Sequence, residues 1–160
     1  MSAHIYNVDI SWNKDRKGIM CSPELKTAMA GQAGCIEVAT PPEFPKGIPG
    51  IWSPEHLFTA AVSSCLMTTF LAIAENSKLE FNSFQCHSEG KLEQVDGKYL
   101  MTEVVLQPKV VIRYEKDRER AERVLQKSEA ACLISNSIKS KVTMNPLIEV
   151  EQGEPAASIN

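Results

Sequence analysis

Two cysteines sit in settings that suit chemistry. Cys65 lies in an uncharged run that opens Ser53-Pro54-Glu55-His56-Leu57, and Cys132 lies in Glu129-Ala130-Ala131-Cys132-Leu133-Ile134-Ser135-Asn136-Ser137. Each falls in, or at the end of, a predicted helix. No local metal-binding spacing links them, so zinc from Cys65, Cys132, His56 and His87 lacks support. There is no glycine-rich phosphate loop and no recognisable Ser-His-Asp motif. Two such thiols in a chain with no other obvious nucleophile point to thiol redox chemistry.

That chemistry sets requirements. A thiolate, not a thiol, attacks a peroxide, so the reacting cysteine needs a lowered pKa. Cys65 lies well inside its helix, beyond the first turn where the helix dipole acts. A nearby cation is therefore expected. Arginine suits best, because it stays charged when desolvated and can also bond a peroxide oxygen. Arg16, in Lys14-Asp15-Arg16-Lys17-Gly18, is the nominee, although an ordinary exposed turn arginine would read the same way. Glu55 can orient such an arginine. Glu55 and Cys65 are ten residues apart on one helix, which is ~15 Å of axial rise. One arginine cannot easily serve both within a chain, so Glu55 is expected to reach the Cys65 site of a partner subunit through close packing of two central helices. Cys132 is compatible with attack on an oxidised Cys65. A free cysteine is more often a small buried hydrophobe, and on that ground Cys21, Cys35 and Cys86 are read as structural.

The elements that must position these residues can be read in outline. The chain has 160 residues, enough for one domain with a real core, and the expectation is a single domain over 1–150 with a disordered tail over 151–160. Hydrophobic content is 43%, charged content 23% and net charge −3. No basic stripe appears, which argues against nucleic acid as a partner. The N-terminus lacks a basic segment followed by an apolar one, so no secretory signal is expected. Five cysteines without framework spacing suit a reducing compartment, and the chain is read as cytoplasmic.

Residues 4–13 alternate as a strand, and short strands are expected near 18–29 and 35–39. The proline- and glycine-rich stretch 40–51 reads as a loop of fixed shape. Ser53-Pro54-Glu55 is a helix start with cap, first-position proline and dipole partner, and the helix should run to about Asn76. Its uncharged portion, Leu57 to Ala74, is at the short limit for a membrane span. It carries six Ser, Thr or Cys residues and no flanking basic cluster, so it reads as a buried helix with no membrane role. A helix apolar nearly all round needs cover on most sides, part of it from a second subunit.

Residues 81–94 and 99–114 read as a long hairpin around Asp96-Gly97. Pro108 interrupts the second arm, where a bulge or an edge position is expected. Asp117 can cap a helix over 118–131 with Ala121, Val124, Leu125 and Ala131 inside. A short helix or turn follows Cys132, and 141–150 forms a last strand. The order predicts an α+β fold.

The stretch Ser53-Pro54-Glu55-His56-Leu57-Phe58-Thr59-Ala60-Ala61-Val62-Ser63-Ser64-Cys65 resembles the central helix of the OsmC/Ohr family, the osmotically inducible and organic hydroperoxide resistance proteins. Ala131-Cys132-Leu133-Ile134-Ser135-Asn136 resembles that family's second cysteine motif, with Leu133 where the family usually has proline. Trp12 through Gly18 looks like its arginine segment. The likeness covers roughly residues 4–150. It implies an intimately packed homodimer whose strands enclose two central helices. It also implies a thiol-dependent peroxidase acting on organic hydroperoxides, with no cofactor, metal or haem. By that pattern Cys65 is peroxidatic, Cys132 is resolving, and Arg16 and Glu55 form the activating network. Electrons would come from a dithiol such as a lipoylated protein, or from small thiols. The rival readings are a non-catalytic dimeric module that binds an apolar ligand or partner, and a redox sensor of slow turnover.

Overall fold

The computed structural model describes residues 3–26 and 33–151. The elements follow the order β1 (Asp9–Lys14), β2 (Lys17–Lys26), β3 (Ala33–Ala39), α1 (Pro54–Asn76), β4 (Phe81–Val95), β5 (Lys98–Ile112), α2 (Arg118–Ala131), β6 (Lys141–Met144) and β7 (Leu147–Val150). This is an α+β fold, as the sequence pattern predicts. The chain divides into two compact units, one ending at Leu57 and one beginning at Phe58.

The N-terminal unit is built on an antiparallel sheet of order β1-β2-β3. A two-residue turn, Asp15-Arg16, joins the first two strands, with Asp15 at φ 49°. Its backbone is tied twice. The Trp12 indole N–H donates to the Asp15 carbonyl at 3.1 Å, and the Thr40 N–H donates to the Arg16 carbonyl at 3.1 Å. The loop after β3 has the fixed shape that its prolines predict. Phe44, Gly47 and Ile48 each donate an N–H to a loop carbonyl at 2.9–3.1 Å.

Cys21 and Cys35 depart from the sequence expectation. They are bonded to each other rather than free. The cause is register: β2 and β3 place them directly opposite one another, with Cα atoms 4.1 Å apart. Directly opposed residues bring their Cβ atoms within reach of a bridge. Neither residue's local sequence discloses that pairing. The tail expected over 151–160 lies outside the described residues after Glu151.

The C-terminal unit carries the core. Ser53 caps α1 as predicted, its Oγ accepting the His56 N–H at 3.3 Å. Val62, Cys65, Leu66, Phe70 and Ala74 form the buried face of the helix, at the three- and four-residue steps of one stripe. Val62 and Leu66 pack on Val104 and Leu106 of β5. Phe70 and Ala74 pack on Val110 and Ile112 of β5, with Ala121, Val124 and Leu125 of α2 and Ile148 of β7. Both helices therefore cover the same face of one sheet. α1 is long and apolar enough to cross a membrane by length and composition, and one face of it packs on the sheet as a core helix.

The β4–β5 hairpin turns at Asp96-Gly97, both with positive φ (49° and 78°), which matches the primed turns that hairpins favour. A bulge between Phe81 and Ser83 lets Phe81 and Phe84 both face Phe70. Pro108 produces no bulge in the hairpin. It pairs with Cys86 and is fully buried. The last strand is instead two strands, β6 and β7, both parallel to β5. Leu106 pairs with Met144 and Lys109 with Leu147, so Pro108 falls opposite Pro146. Neither proline has an N–H, and the ladder is interrupted where both stand.

Asp117 precedes α2 as predicted but its side chain does not cap the helix. It pairs with Arg120 at 3.3 Å. Ser128 replaces Ala131 in the inner stripe, since its hydroxyl is satisfied by the Val124 carbonyl at 2.6 Å.

Gly90 of β4 sets how closely α1 approaches the sheet. A Cβ there would overlap Thr59 Oγ1 and lie 2.7 Å from Met101 Cε. Gly90→Ala is expected to cost ~1–3 kcal/mol by overpacking, read as a lowered urea midpoint with an unchanged slope. An unaltered midpoint would mean that α1 shifts outward freely.

Candidate functional site

Cys65 and Cys132 come together. Cys65 is 8% exposed, on the buried stripe of α1, and Cys132 is fully buried at the end of α2. Ile134 anchors the turn after Cys132 by packing on the cluster of Val62 and Leu66, beside Phe58, Ile138 and Val142. Hydrogen bonds fix the rest of that turn. Cys132 N–H donates to Glu129 O (3.1 Å), Asn136 N–H to Cys132 O (3.0 Å) and Ser137 N–H to Ile134 O (3.0 Å). Asn136 Nδ2 donates to Ala130 O at 3.0 Å, and Ser137 Oγ to Leu133 O at 2.7 Å. The polar residues after Cys132 thus satisfy carbonyls that the helix end leaves open.

The two thiols are electrostatically unlike. Burial pushes the Cys65 thiol up, but hydrogen bonds outweigh it and hold the group below its ordinary range. They come from the Cys132 thiol, the Ile134 amide, the Thr69 hydroxyl and the Leu133 amide. Burial and the neighbouring Cys65 push the Cys132 thiol up, against smaller opposing bonds from Ser135. The two shifts run in opposite directions, and each thiol contributes to the shift of the other. A lowered pKa means that the Cys65 thiolate forms at lower pH than in a free cysteine, while Cys132 keeps its proton. Those are the properties of an attacking and a waiting sulfur.

The other expected site residues belong to the N-terminal unit. Arg16 lines a groove of about 450 Å³ with Ile10, Trp12, Val38 and Pro54. Glu55 stands in the first turn of α1. His56 Nδ1 lies 2.8 Å from Ser53 Oγ, and its ring meets Trp52 edge-on, so it serves the helix start. Cys86 is a strand residue, as expected, its sulfur 3.4 Å from Ser88 Oγ.

Sequence reasoning missed Thr69 and the amides of Leu133 and Ile134. Thr69 had a signal, since it stands four positions after Cys65 on the same helix face. The amides had none, because every residue but proline carries one.

Comparison with known proteins agrees with this architecture. The family model described as OsmC-like protein matches residues 47–146, a span that holds Glu55, Cys65 and Cys132, with Arg16 before it. The uncharacterized protein YmaD of Bacillus subtilis (strain 168) is 26% identical over 104 residues, 63% of this chain and 69% of that one. An OsmC-like protein of unknown function from Vibrio cholerae superposes with a TM-score of 0.78 at 22% identity, covering 91% of this chain and 100% of that chain. An organic hydroperoxide resistance protein from Elizabethkingia anophelis superposes with a TM-score of 0.70 at 17% identity, covering 94% and 99%. With its α+β fold and a family match that spans residues 47–146, the chain belongs to the OsmC-like protein family.

Proposed function

We propose that this protein is a thiol-dependent peroxidase that reduces organic hydroperoxides to alcohols. The observation that carries the reading is a pair of free, buried thiols that act on one another, Cys65 lowered and Cys132 raised in pKa. In the first step the Cys65 thiolate attacks the distal peroxide oxygen. The O–O bond breaks, the alkoxide leaves and takes up a proton as alcohol, and Cys65 becomes a sulfenic acid. The Cys132 thiol then attacks the oxidised sulfur, an S–S bond forms and water leaves. A dithiol, such as a lipoylated protein, or a pair of small thiols reopens the bridge and is itself oxidised to disulfide. Apolar neighbours, among them Phe58 and Ile134, favour alkyl over hydrogen peroxide. Membership of a family that includes organic hydroperoxide resistance proteins supports the same substrate class.

The working unit in this reading is a homodimer. Ile5, Tyr6, Val8 and Ile10 are exposed, Trp12 is 78% exposed, and Met67 and Leu71 are exposed on α1. A second copy of the chain would cover such surfaces. Arg16 and Glu55 form the activating network, with Glu55 of one subunit serving the Cys65 site of the other. The compartment is the cytoplasm, where the Cys21–Cys35 bridge, exposed on its Cys35 side, would itself be open to reduction.

The test is peptide mass spectrometry of fully reduced protein after one equivalent of cumene hydroperoxide. It is run in a Cys21→Ser/Cys35→Ser background, because that pair gives the same loss of two hydrogens. A bridge mapped to Cys65 and Cys132 is expected. An unreacted Cys65 would overturn the reading and leave the ligand-binding module in its place.

A further inference from the structure

The Cys21–Cys35 bridge lies on the open side of its sheet. Residues of β1, β2 and β3 alternate between two faces, and directly paired residues share a face. Ile10, Met20 and Ile36 stand opposite one another on one face, and Asp9, Cys21 and Cys35 do so on the other. The second face continues with Ser11 and Glu37 and carries the Lys17–Glu37 ion pair at 2.7 Å. A second copy of the chain drawn to the apolar face would leave the bridge on the polar one. The two bridged residues differ in access. Cys35 is exposed, whereas Cys21 is half-buried on the central strand.

The bridge also closes a ladder. Successive pairs, from Lys17 with Ala39 to Cys21 with Cys35, hold β2 to β3. Beyond them Ser22 to Leu25 oppose Gly34 alone before Lys26 pairs with Ala33. This bulge folds onto the residue beside Cys35, since a Cβ on Gly34 would overlap Leu25 Cβ. Inside it the Glu24 N–H donates to Ser22 Oγ at 3.3 Å. The Glu24 carboxylate accepts the Asn7 N–H at 3.2 Å and Asn7 Nδ2 at 2.5 Å. The segment before β1 is therefore fastened to a bulge whose foot is the bridge.

We propose that Cys21–Cys35 is a thiol-exchange site, separate from the Cys65–Cys132 pair, which thiolates open at Cys35 and which latches the segment carrying Asn7. An external thiolate attacks the Cys35 sulfur. The S–S bond breaks, its electron pair goes to the Cys21 sulfur, and Cys21 takes up a proton. A second thiolate attacks the sulfur that the first one brought. Cys35 then leaves as a thiolate, and the two external thiols depart as their disulfide. Exposed bridges are the ones that exchange readily. Opening leaves the bulge with its hydrogen bonds and the Leu25–Gly34 contact, but without its covalent foot. The inference goes beyond the peroxidase reading, because this exchange needs neither a peroxide nor Cys65.

The test starts from native protein with the bridge closed. Brief exposure to mercaptoethanol, an uncharged monothiol suited to a bridge that Asp9 flanks, is quenched in acid and mapped by peptide mass spectrometry. The adduct should be on Cys35, and an adduct on Cys21 would overturn the choice of sulfur. At equilibrium in a mostly reduced glutathione buffer, most chains should carry both residues as thiols without denaturant. A bridge that opens only in urea would be a structural staple and would overturn the proposal. Hydrogen exchange reads the latch. The Asn7 and Glu24 amides should exchange about tenfold faster in the reduced protein, and as fast in Cys21→Ser/Cys35→Ser. The Thr40 N–H, bonded to the Arg16 carbonyl at the other end of the sheet, should keep its rate. Equal rates at Asn7 in the closed and reduced proteins would refute the latch.

Discussion

Cys65→Ser is expected to abolish consumption of cumene hydroperoxide, whereas Cys132→Ser reacts once and is then destroyed by excess peroxide. The two outcomes differ because the sulfurs do different work. Serine at 65 occupies the same place but does not ionise near neutral pH, so no nucleophile remains. Serine at 132 keeps a hydroxyl that can donate to Cys65, so the first oxygen transfer proceeds. What it cannot do is close a disulfide. The sulfenic acid then persists and meets further peroxide, which carries it to the irreversible sulfinic acid. In the cycle proposed for the parent protein, the bridge forms first and protects the sulfur. The measurement is activity recovered by a dithiol after exposure to excess peroxide: full for the parent, lost for Cys132→Ser. Activity retained by Cys65→Ser would place the nucleophile elsewhere.

Phe70→Ala should lower the stability of the folded chain by ~3–5 kcal/mol, the range for truncating a buried aromatic. Phe70 has no exposed surface. Its ring lies 5.1 Å from that of Phe81 at 72° and 4.8 Å from that of Phe84 at 34°. Such pairs add ~0.5–1.5 kcal/mol beyond the area they bury. Against a usual stability of ~5–15 kcal/mol for a domain, the loss is a large share. It also removes the anchor just beyond Cys65 on the same helix stripe. Urea denaturation followed by circular dichroism measures it. A change below ~1 kcal/mol would mean that this aromatic cluster does not organise the core.

The long elements were legible because each carries its own local instruction. Ser53-Pro54 starts α1, Asp96-Gly97 turns the hairpin, and the even positions of β5 show which face is buried. Cys65 and Cys132 stood out as candidates for the same reason, since both sit in distinctive segments. What could not be read depends on partners distant in sequence. Pro108 suggested a bulge or an edge position, but β5 has neighbours on both sides and the break is shared with Pro146 on the parallel side. Asp117 fits a cap by type and place, yet Arg120 competes for its carboxylate. Cys21 and Cys35 look like isolated strand residues until β2 and β3 are aligned. The lowered pKa of Cys65 owes part of its shift to backbone amides, which leave no trace in residue identity.

The parallel pairing of β5 with β6 has a kinetic consequence. Antiparallel arms can be joined by a two-residue turn, whereas parallel strands require a long crossover, here the segment through α2. The Ser140 hydroxyl and the Met101 carbonyl, joined across it at 2.5 Å, are 39 residues apart in sequence. Closing so long a segment costs entropy before any contact rewards it, so the hairpin should form early and the crossover late. Cys132 rides on that crossover. During synthesis or refolding the two sulfurs should stay apart until the last large step, so the proposed thiol pair is assembled only when folding is essentially complete.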